Sequence, residues 1–390
     1  MEHDNAKTDI LIVGGGMVGA TAAVGFAQSG YSVTLIEPEL PSPHQASDIP
    51  DMRVSALNLR TEALLERLGI LPGLLTKPHR HYDRLSVAER SGKETTFAAR
   101  DIQQAYLGLF VENKCLQQSA LELLTREYKS SVRIIAEKRC TQLDTKGHFI
   151  QLDDDERIYA SCMIAADGAR SWLRQAASIG VTGWQYQQQA NVLLITTAKQ
   201  VPSCTWQQFT PSGPQALLPL HDNFALLVWY GPSALTKALT GASNAQRKQH
   251  LLQDFPCTFG DFEVLEHRSF PLLRQHANQY YRNNVVLIGD AAHSINPLAG
   301  QGVNLGFKDV NELIAQIDKF GLQNLSSAYS AYERARRADN LLMMSAMDLL
   351  YTSFSNDNKV LKSLRNKVFA AVNHVHPIKR GVLAYAAGVS

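Results

Sequence analysis

The residues best suited to chemistry sit in three glycine-rich stretches, each placed where an apolar run ends. The first is Gly14-Gly15-Gly16-Met17-Val18-Gly19, which follows Asp9–Val13 without a gap and precedes the helix-patterned Ala20–Ser29. A continuous apolar run of this length reads as a parallel strand buried on both faces. After Gly30-Tyr31 turns the chain, Ser32–Ile36 is a second such strand, with Glu37 at its end. Glycine loop, helix, second strand and terminal acid make a dinucleotide-binding βαβ unit. Gly14 permits the tight turn, Gly16 lets a pyrophosphate approach, Gly19 allows close helix–strand packing, and Glu37 can hold the adenosine ribose hydroxyls. An acid rather than a base at position 37 favours FAD or NAD over NADP.

The second stretch is Asp167-Gly168, after the strand Arg157–Ile164 and before Arg170 and a helix through Ala176. Alone it would be an ordinary Asp-Gly turn. The third, Leu287–Phe307, runs from the strand Val285–Ile288 into Gly289-Asp290. It continues through a loop containing Pro297, Gly300 and Gly302 to a helix beginning near Val303. Strand, glycine turn and helix start present backbone N–H groups to an anion. So long a loop suits a large ligand, and together with the N-terminal unit it points to a flavin. Arg53 reads either as a surface charge or as a partner for phosphates. Asn113 and Gln117 share one face of the helical stretch Val111–Tyr128. His221 and His293 could loosen a substrate proton, but a lone loop histidine is more often structural, and neither is assigned a catalytic role.

The elements that must position these residues belong to an α/β fold. Ala56–Leu68 has a helical pattern, Leu85–Phe97 a hairpin pattern around Ser91-Gly92, and strands follow around turns at Lys146-Gly147 and Asp153–Glu156. From Gly183 the texture becomes a mixed sheet, with Val192–Thr197, Cys204–Thr210, Gln215–Leu220 and Phe224–Tyr230 as strands and Asn244–Phe255 as a flanking helix. Trp206, Phe209, Trp229 and Tyr230 are candidates for a pocket lining. The expected division is a discontinuous nucleotide-binding domain (1–182 and 270–345), a substrate domain (183–269 with part of 76–110), and a C-terminal helical segment (346–390). In the last of these, Lys359–Ser390 holds six Lys/Arg and no acid. It reads as a docked helix or as a contact for anionic lipid or a partner. Arg334, Arg336 and Arg337 read as a solvated helix face.

Composition narrows the class. A net charge of +2 over 390 residues gives no reason to propose nucleic acid. Five scattered cysteines without a CxxC pair fit a reducing compartment and argue against a disulfide framework or a zinc site. No signal peptide is visible, and no apolar run approaches the ~18 residues that span a bilayer. The expected location is cytoplasmic, with peripheral membrane contact open.

Taken in order, GGGMVG, ADGARS and GDAAHSINPLAGQGVNLG resemble the group A flavoprotein aromatic hydroxylases, over about Thr8 to Leu350. The stretches TWQQFTPSGPQALLPL, LVWY, FPL and MDLLYTSFSN are similar to the ubiquinone-biosynthesis hydroxylases, most of all the branch acting on 2-polyprenyl-3-methyl-6-methoxy-1,4-benzoquinol. The resemblance implies a Rossmann-like FAD-binding domain of the para-hydroxybenzoate hydroxylase type, a mixed-sheet substrate domain and C-terminal helices. It implies FAD as cofactor, NAD(P)H as electron donor, and ring hydroxylation of a polyprenyl quinol through a flavin hydroperoxide. Gly14, Gly16, Gly19 and Glu37 would hold the ADP half. Arg53 and Gln117 would contact the cofactor, and Asp167-Gly168 would lie near the pyrophosphate. Asp290 would bind the ribityl chain. Pro297, Gly300, Gln301 and Gly302 would face the ring, with the helix start favouring an anion on it. Many members of the family carry arginine where Asn113 stands. The rival readings are a hydroxylase of another ring position or phenol, and an idle flavoprotein scaffold in a biosynthetic complex. The purified protein is expected to be yellow and to release FAD on denaturation; a folded, colourless preparation that takes up no added FAD would overturn the flavin reading.

Overall fold

A computed structural model describes residues 6–45, 49–89, 94–146, 148–256, 259–295, 302–354 and 376–389. Its centre is the strand Ala6–Val13, where Ile10, Leu11 and Ile12 are fully buried. Parallel neighbours Arg157–Ala165 and Val33–Glu37 flank it, and Val132–Ala136 and Val285–Leu287 lie parallel outside them. The helix Met17–Gln28 makes the crossover between the first two strands. Its buried run from Gly19 to Ala27 is mostly glycine and alanine, so the helix packs close against the strands. Val13 pairs with both Ala165 and Ile36, and Ala165 pairs with Leu287. Four strands therefore reach their carboxyl ends side by side, and a doubly wound sheet binds ligands beyond those ends.

The second eight-stranded sheet runs in the order His293–Ser294, Phe262–Ala277, Val181–Thr197, Phe224–Pro232, Gln215–Pro219, Cys204–Phe209, Arg84–Glu89 and Thr95–Ala98. All neighbours are antiparallel except Cys204–Phe209 with Arg84–Glu89. Alternation along Phe224–Pro232 divides its side chains between two faces. Leu227 and Trp229 pack against Leu239, Leu251 and Phe255 under the helices Ser233–Gly241 and Asn244–Asp254. Leu226, Val228 and Tyr230 face the other way, into a cavity between the sheets. The aromatic set expected to line a pocket is accordingly split. Trp206 and Tyr230 line the cavity; Trp229 and Phe209 do not.

Two helical expectations extend too far toward the N-terminus. Val54–Asn58 is a strand paired antiparallel with Gly108–Glu112, and the helices begin only at Leu59 and Asn113. The amide of Asn58 explains the first stop, because its Oδ1 accepts the Thr61 N–H at 3.0 Å and caps the helix. Arg84–Glu89 and Thr95–Ala98 form the expected hairpin ladder, although Ser91 and Gly92 lie outside the described residues, as does Gly147. Of the basic C-terminal stretch, the described part includes the helix His376–Ala387. Its Leu383 and Ala387 are buried against Phe97, Ala99 and Leu107. Among the described residues, no helix is long and apolar enough to cross a membrane.

Candidate functional site

The three glycine stretches meet at the carboxyl ends of the central strands. Gly14 N–H donates to Ile36 O at 2.8 Å, Ala166 N–H to Val13 O at 2.8 Å, and Ile288 N–H to Ala165 O at 3.0 Å. Each turn is thus knitted to its neighbour. Gly14 has φ +100°, and a Cβ at Gly19 would stand 1.9 Å from the Gly14 carbonyl oxygen, so neither position accepts a side chain. A Cβ at Gly16 or Gly168 would meet nothing within 4 Å, because both border the cavity. Gly15 N–H donates to Glu37 Oε2 at 2.7 Å, and Gln117 Nε2 donates to Gly15 O at 2.9 Å, which holds the loop from both sides.

The cavity measures about 640 Å³. At one end it is bordered by Gly16, Met17, Gly168, Asp290 and Gly302; at the other by Tyr82, Phe110, Val192, Leu218 and Leu226. Arg53 and Asn113 stand at its side. The Arg53 side chain is 75% exposed and lies 3.8 Å from Asp51, so it is free to turn toward an anion. Asn113 accepts a hydrogen bond from Ser55 Oγ at 2.7 Å. Asp290 is exposed to the cavity yet deep within the protein, and loss of solvent pushes its carboxyl above the usual range, only partly offset by His293. Among the described residues, nothing hydrogen-bonds to that carboxylate. Burial pushes the Tyr82 hydroxyl up to about 12 and raises Tyr230 as well, so both remain protonated donors.

Asp167 has a structural task beside the expected place near the pyrophosphate. Its Oδ1 accepts the Ser171 hydroxyl and its Oδ2 the Leu173 N–H at 3.0 Å, so the carboxylate caps the helix Trp172–Ala176 while Gly168 and Ala169 face the cavity. Burial raises its pKa against the pull of those two bonds. Neither His221 nor His293 lines the cavity. Pro297, Gly300 and Gln301 lie outside the described residues; Gly302 begins the helix Gly302–Phe320 at the cavity wall.

Several supporting residues escaped the sequence reading. Arg174, buried, donates to Ala169 O at 3.0 Å and Ala291 O at 2.9 Å and so clamps the Asp-Gly loop to the Gly-Asp loop. Asn304 accepts from Asn58 N–H at 3.0 Å and donates to Ala56 O at 2.8 Å, fixing the start of its helix against that strand. Asp309, fully buried, takes Gly289 N–H at 3.0 Å and His293 Nε2 at 2.5 Å on Oδ2, and Arg336 Nε at 2.8 Å and Asn340 Nδ2 at 3.2 Å on Oδ1. Arg336 is therefore buried in this cluster, which corrects the solvated-face reading; Arg334 and Arg337 are exposed. The available signal was an acid between Leu305 and Leu313 on an otherwise apolar helix face, since an unpaired buried charge is strongly disfavoured. Burial alone would raise the Asp309 pKa, but His293 and Arg336 together hold it below the ordinary value.

These features fit FAD. Two open glycine edges and the N-termini of Met17–Gln28 and Gly302–Phe320 offer N–H groups to a pyrophosphate and to an anionic ring. The unpartnered Asp290 carboxylate offers an acceptor to a ribityl hydroxyl.

Comparison with known proteins agrees with this fit. A family model described as an FAD binding domain matches residues 7–344. The 3-demethoxyubiquinol 3-hydroxylase of Escherichia coli is 39% identical over 99% of this chain and 100% of that protein. The ubiquinone hydroxylase UbiL of Rhodospirillum rubrum is 34% identical over 97% of this chain and 89% of its own. The crystal structure of p-nitrophenol 4-monooxygenase PnpA from Pseudomonas putida superposes with a TM-score of 0.80 at 18% identity, covering 97% of each chain, which speaks to the fold.

Two variants test the site. Asp290→Ala is expected to weaken flavin binding by about 1–3 kcal/mol, read as faster flavin loss on dilution; unchanged occupancy counts against the role. Because the folded pKa of Asp309 is depressed, its contribution to stability is complete above the ordinary carboxylate range and is lost as pH falls through the lower folded value. Asp309→Asn should therefore flatten the acid limb of the stability–pH curve, and an unchanged limb would show that the carboxylate is not the group titrating.

Proposed function

The chain belongs to the FAD-dependent monooxygenase family defined by this FAD binding domain, and from that premise we propose that it hydroxylates the ring of 2-polyprenyl-3-methyl-6-methoxy-1,4-benzoquinol in ubiquinone biosynthesis. The observation that carries the proposal is the shape of one cavity, with flavin-binding groups at one end and an apolar sheet face at the other. A quinol ring bearing a prenyl tail needs such a wall, because most of its surface gains from leaving water.

Bound FAD, reduced by NAD(P)H, supplies activated oxygen to an electron-rich ring. The protein's own contribution is binding, orientation and exclusion of water. In this proposal Gly14, Gly16, Gly19 and Glu37 hold the ADP half, Arg53 and Gln117 contact the cofactor, Asp167 and Gly168 lie near the pyrophosphate, and Asp290 receives a ribityl hydroxyl. The helix that begins at Gly302 would bring its dipole to the ring, where negative charge is stabilised, and Pro297, Gly300 and Gln301, outside the described residues, are assigned to the ring as well. Val192, Leu218, Leu226 and Val228 keep the reacting end dry. Tyr82 and Tyr230, held protonated, can donate to a quinol oxygen but cannot take its proton. Among the described residues, the wall at that end holds no histidine or carboxylate. The quinol's own hydroxyl groups therefore supply the electron density that the reaction requires.

The proposal extends to the division into a flavin-binding part (1–182 and 270–345), a sheet part (183–269 with part of 76–110) and a C-terminal segment. The helix His376–Ala387 is docked through Leu383 and Ala387, and the basic side of the stretch from Lys359 is assigned to an anionic membrane surface or a partner enzyme.

The test is turnover of the purified holoenzyme with the quinol, NAD(P)H and O2. Hydroxylated product in step with NAD(P)H oxidation is expected. Peroxide release without product would favour the scaffold reading, and product from a different phenol alone would reassign the substrate.

A further inference from the structure

Three side chains with metal-ligating atoms converge at the amino end of the helix Asn113–Glu127, a fourth stands beside one of them, and none lines the flavin cavity. His44, Glu112 and Cys115 bring a ring nitrogen, a carboxylate oxygen and a sulfur within 4.8 Å of one another. His221, from the turn before Phe224–Pro232, places Nε2 3.9 Å from Glu112 Oε1. Glu112 is 3% exposed, and its Oε1 and the His221 Nε2 are both buried without a hydrogen-bond partner.

The surroundings decide what these two atoms are. His221 Nδ1 lies 2.9 Å from the Asp222 carboxylate, which only accepts, so Nδ1 donates there and Nε2 is the ring nitrogen turned to Glu112. Glu112 Oε2 is occupied by the Asp51 N–H at 2.8 Å and the Lys114 ammonium at 3.2 Å, which turns Oε1 toward the histidine. Two buried ligand atoms without a hydrogen-bond partner then face each other across a gap. A separation of 3.9 Å is too long for a proton to bridge them as a hydrogen bond. Ligands on a tetrahedral zinc ion stand roughly 3.3–3.6 Å apart, so closure of the gap by a fraction of an ångström is enough for this pair.

We propose that His44, Glu112, Cys115 and His221 form a zinc site. Two imidazoles, a carboxylate and a thiol suit zinc better than calcium or magnesium, which prefer oxygen alone. Asp222 is the outer carboxylate that orients a liganding histidine. Binding is not a redox step: the Cys115 S–H bond gives way to S–Zn, and the proton leaves to solvent. The ion pins the segment around His44 and the His221 turn to one helix. Gln117 of that helix holds the Gly15 carbonyl, so the site braces the nucleotide loop from outside. The sequence argument against zinc relied on paired cysteines, whereas this set uses one cysteine and ligands from three distant segments.

The test uses full-length flavin-loaded protein, stripped with a chelator and titrated with zinc against a chromophoric competitor. A single equivalent should bind. His221→Asn or His44→Asn should weaken it by more than about 100-fold, beyond the 10–100-fold typical of losing an outer-shell partner, which is the range expected for Asp222→Asn. Cobalt in place of zinc should give tetrahedral d–d bands to the red of the flavin absorption, altered in Cys115→Ser. If the buried serine variant does not fold, the two histidine variants still give the answer. No uptake by the stripped protein, or uptake unchanged in the histidine variants, overturns the site.

Discussion

The structure depends on the register of parallel strands at the centre of its first sheet. Because Val13, Ile36, Ala165 and Leu287 stand level, the turns that follow them open on one crevice. Backbone hydrogen bonding sets this level, and a shift of one residue in any of the strands would turn its side chains to the opposite face. The glycines answer to that constraint. Gly14 must turn sharply under a neighbouring carbonyl, and Gly19 must let the helix come close enough that no Cβ fits.

A second constraint operates below the crevice. Asp309 gathers donors from the Gly-Asp turn, from His293 and from the long helix Leu325–Phe354 on one carboxylate. Removing one partner from such a cluster strands a buried charge, which is far costlier than losing a surface pair. The cluster makes the height of the Gly289-Asp290 turn depend on a helix that never reaches the cavity. Arg174 does the same for the Asp-Gly loop by bonding the Ala169 and Ala291 carbonyl groups, which follow two adjacent strands.

Much of this was legible in the sequence because the signals are local. GGGMVG, the apolar runs and Glu37 depend on neighbours within one βαβ unit, and the long loop after Asp290 announced a large ligand. What was not legible required contacts distant in sequence. Val54–Asn58 has a pattern that serves a helix as well as a strand, and only its pairing with Gly108–Glu112 decides the matter. Asp167 reads only as a ligand contact in the sequence, and its capping of Ser171 and the Leu173 amide appears only in the folded turn. Arg336 looks like its exposed neighbours Arg334 and Arg337, and differs only in facing a buried acid 27 residues away.

The parallel pair between Cys204–Phe209 and Arg84–Glu89 joins segments far apart along the chain. During synthesis the hairpin edge at 84–98 emerges well before the strand that covers it, and an uncovered edge is a template for pairing with other chains. The flavin crevice faces a similar delay, since its Gly289-Asp290 wall is synthesised about 275 residues after Gly14. The complete flavin site is therefore not available to the early chain. Non-local closure of this kind is slow, and a nascent copy must survive that interval with an open edge and no ligand to hold it.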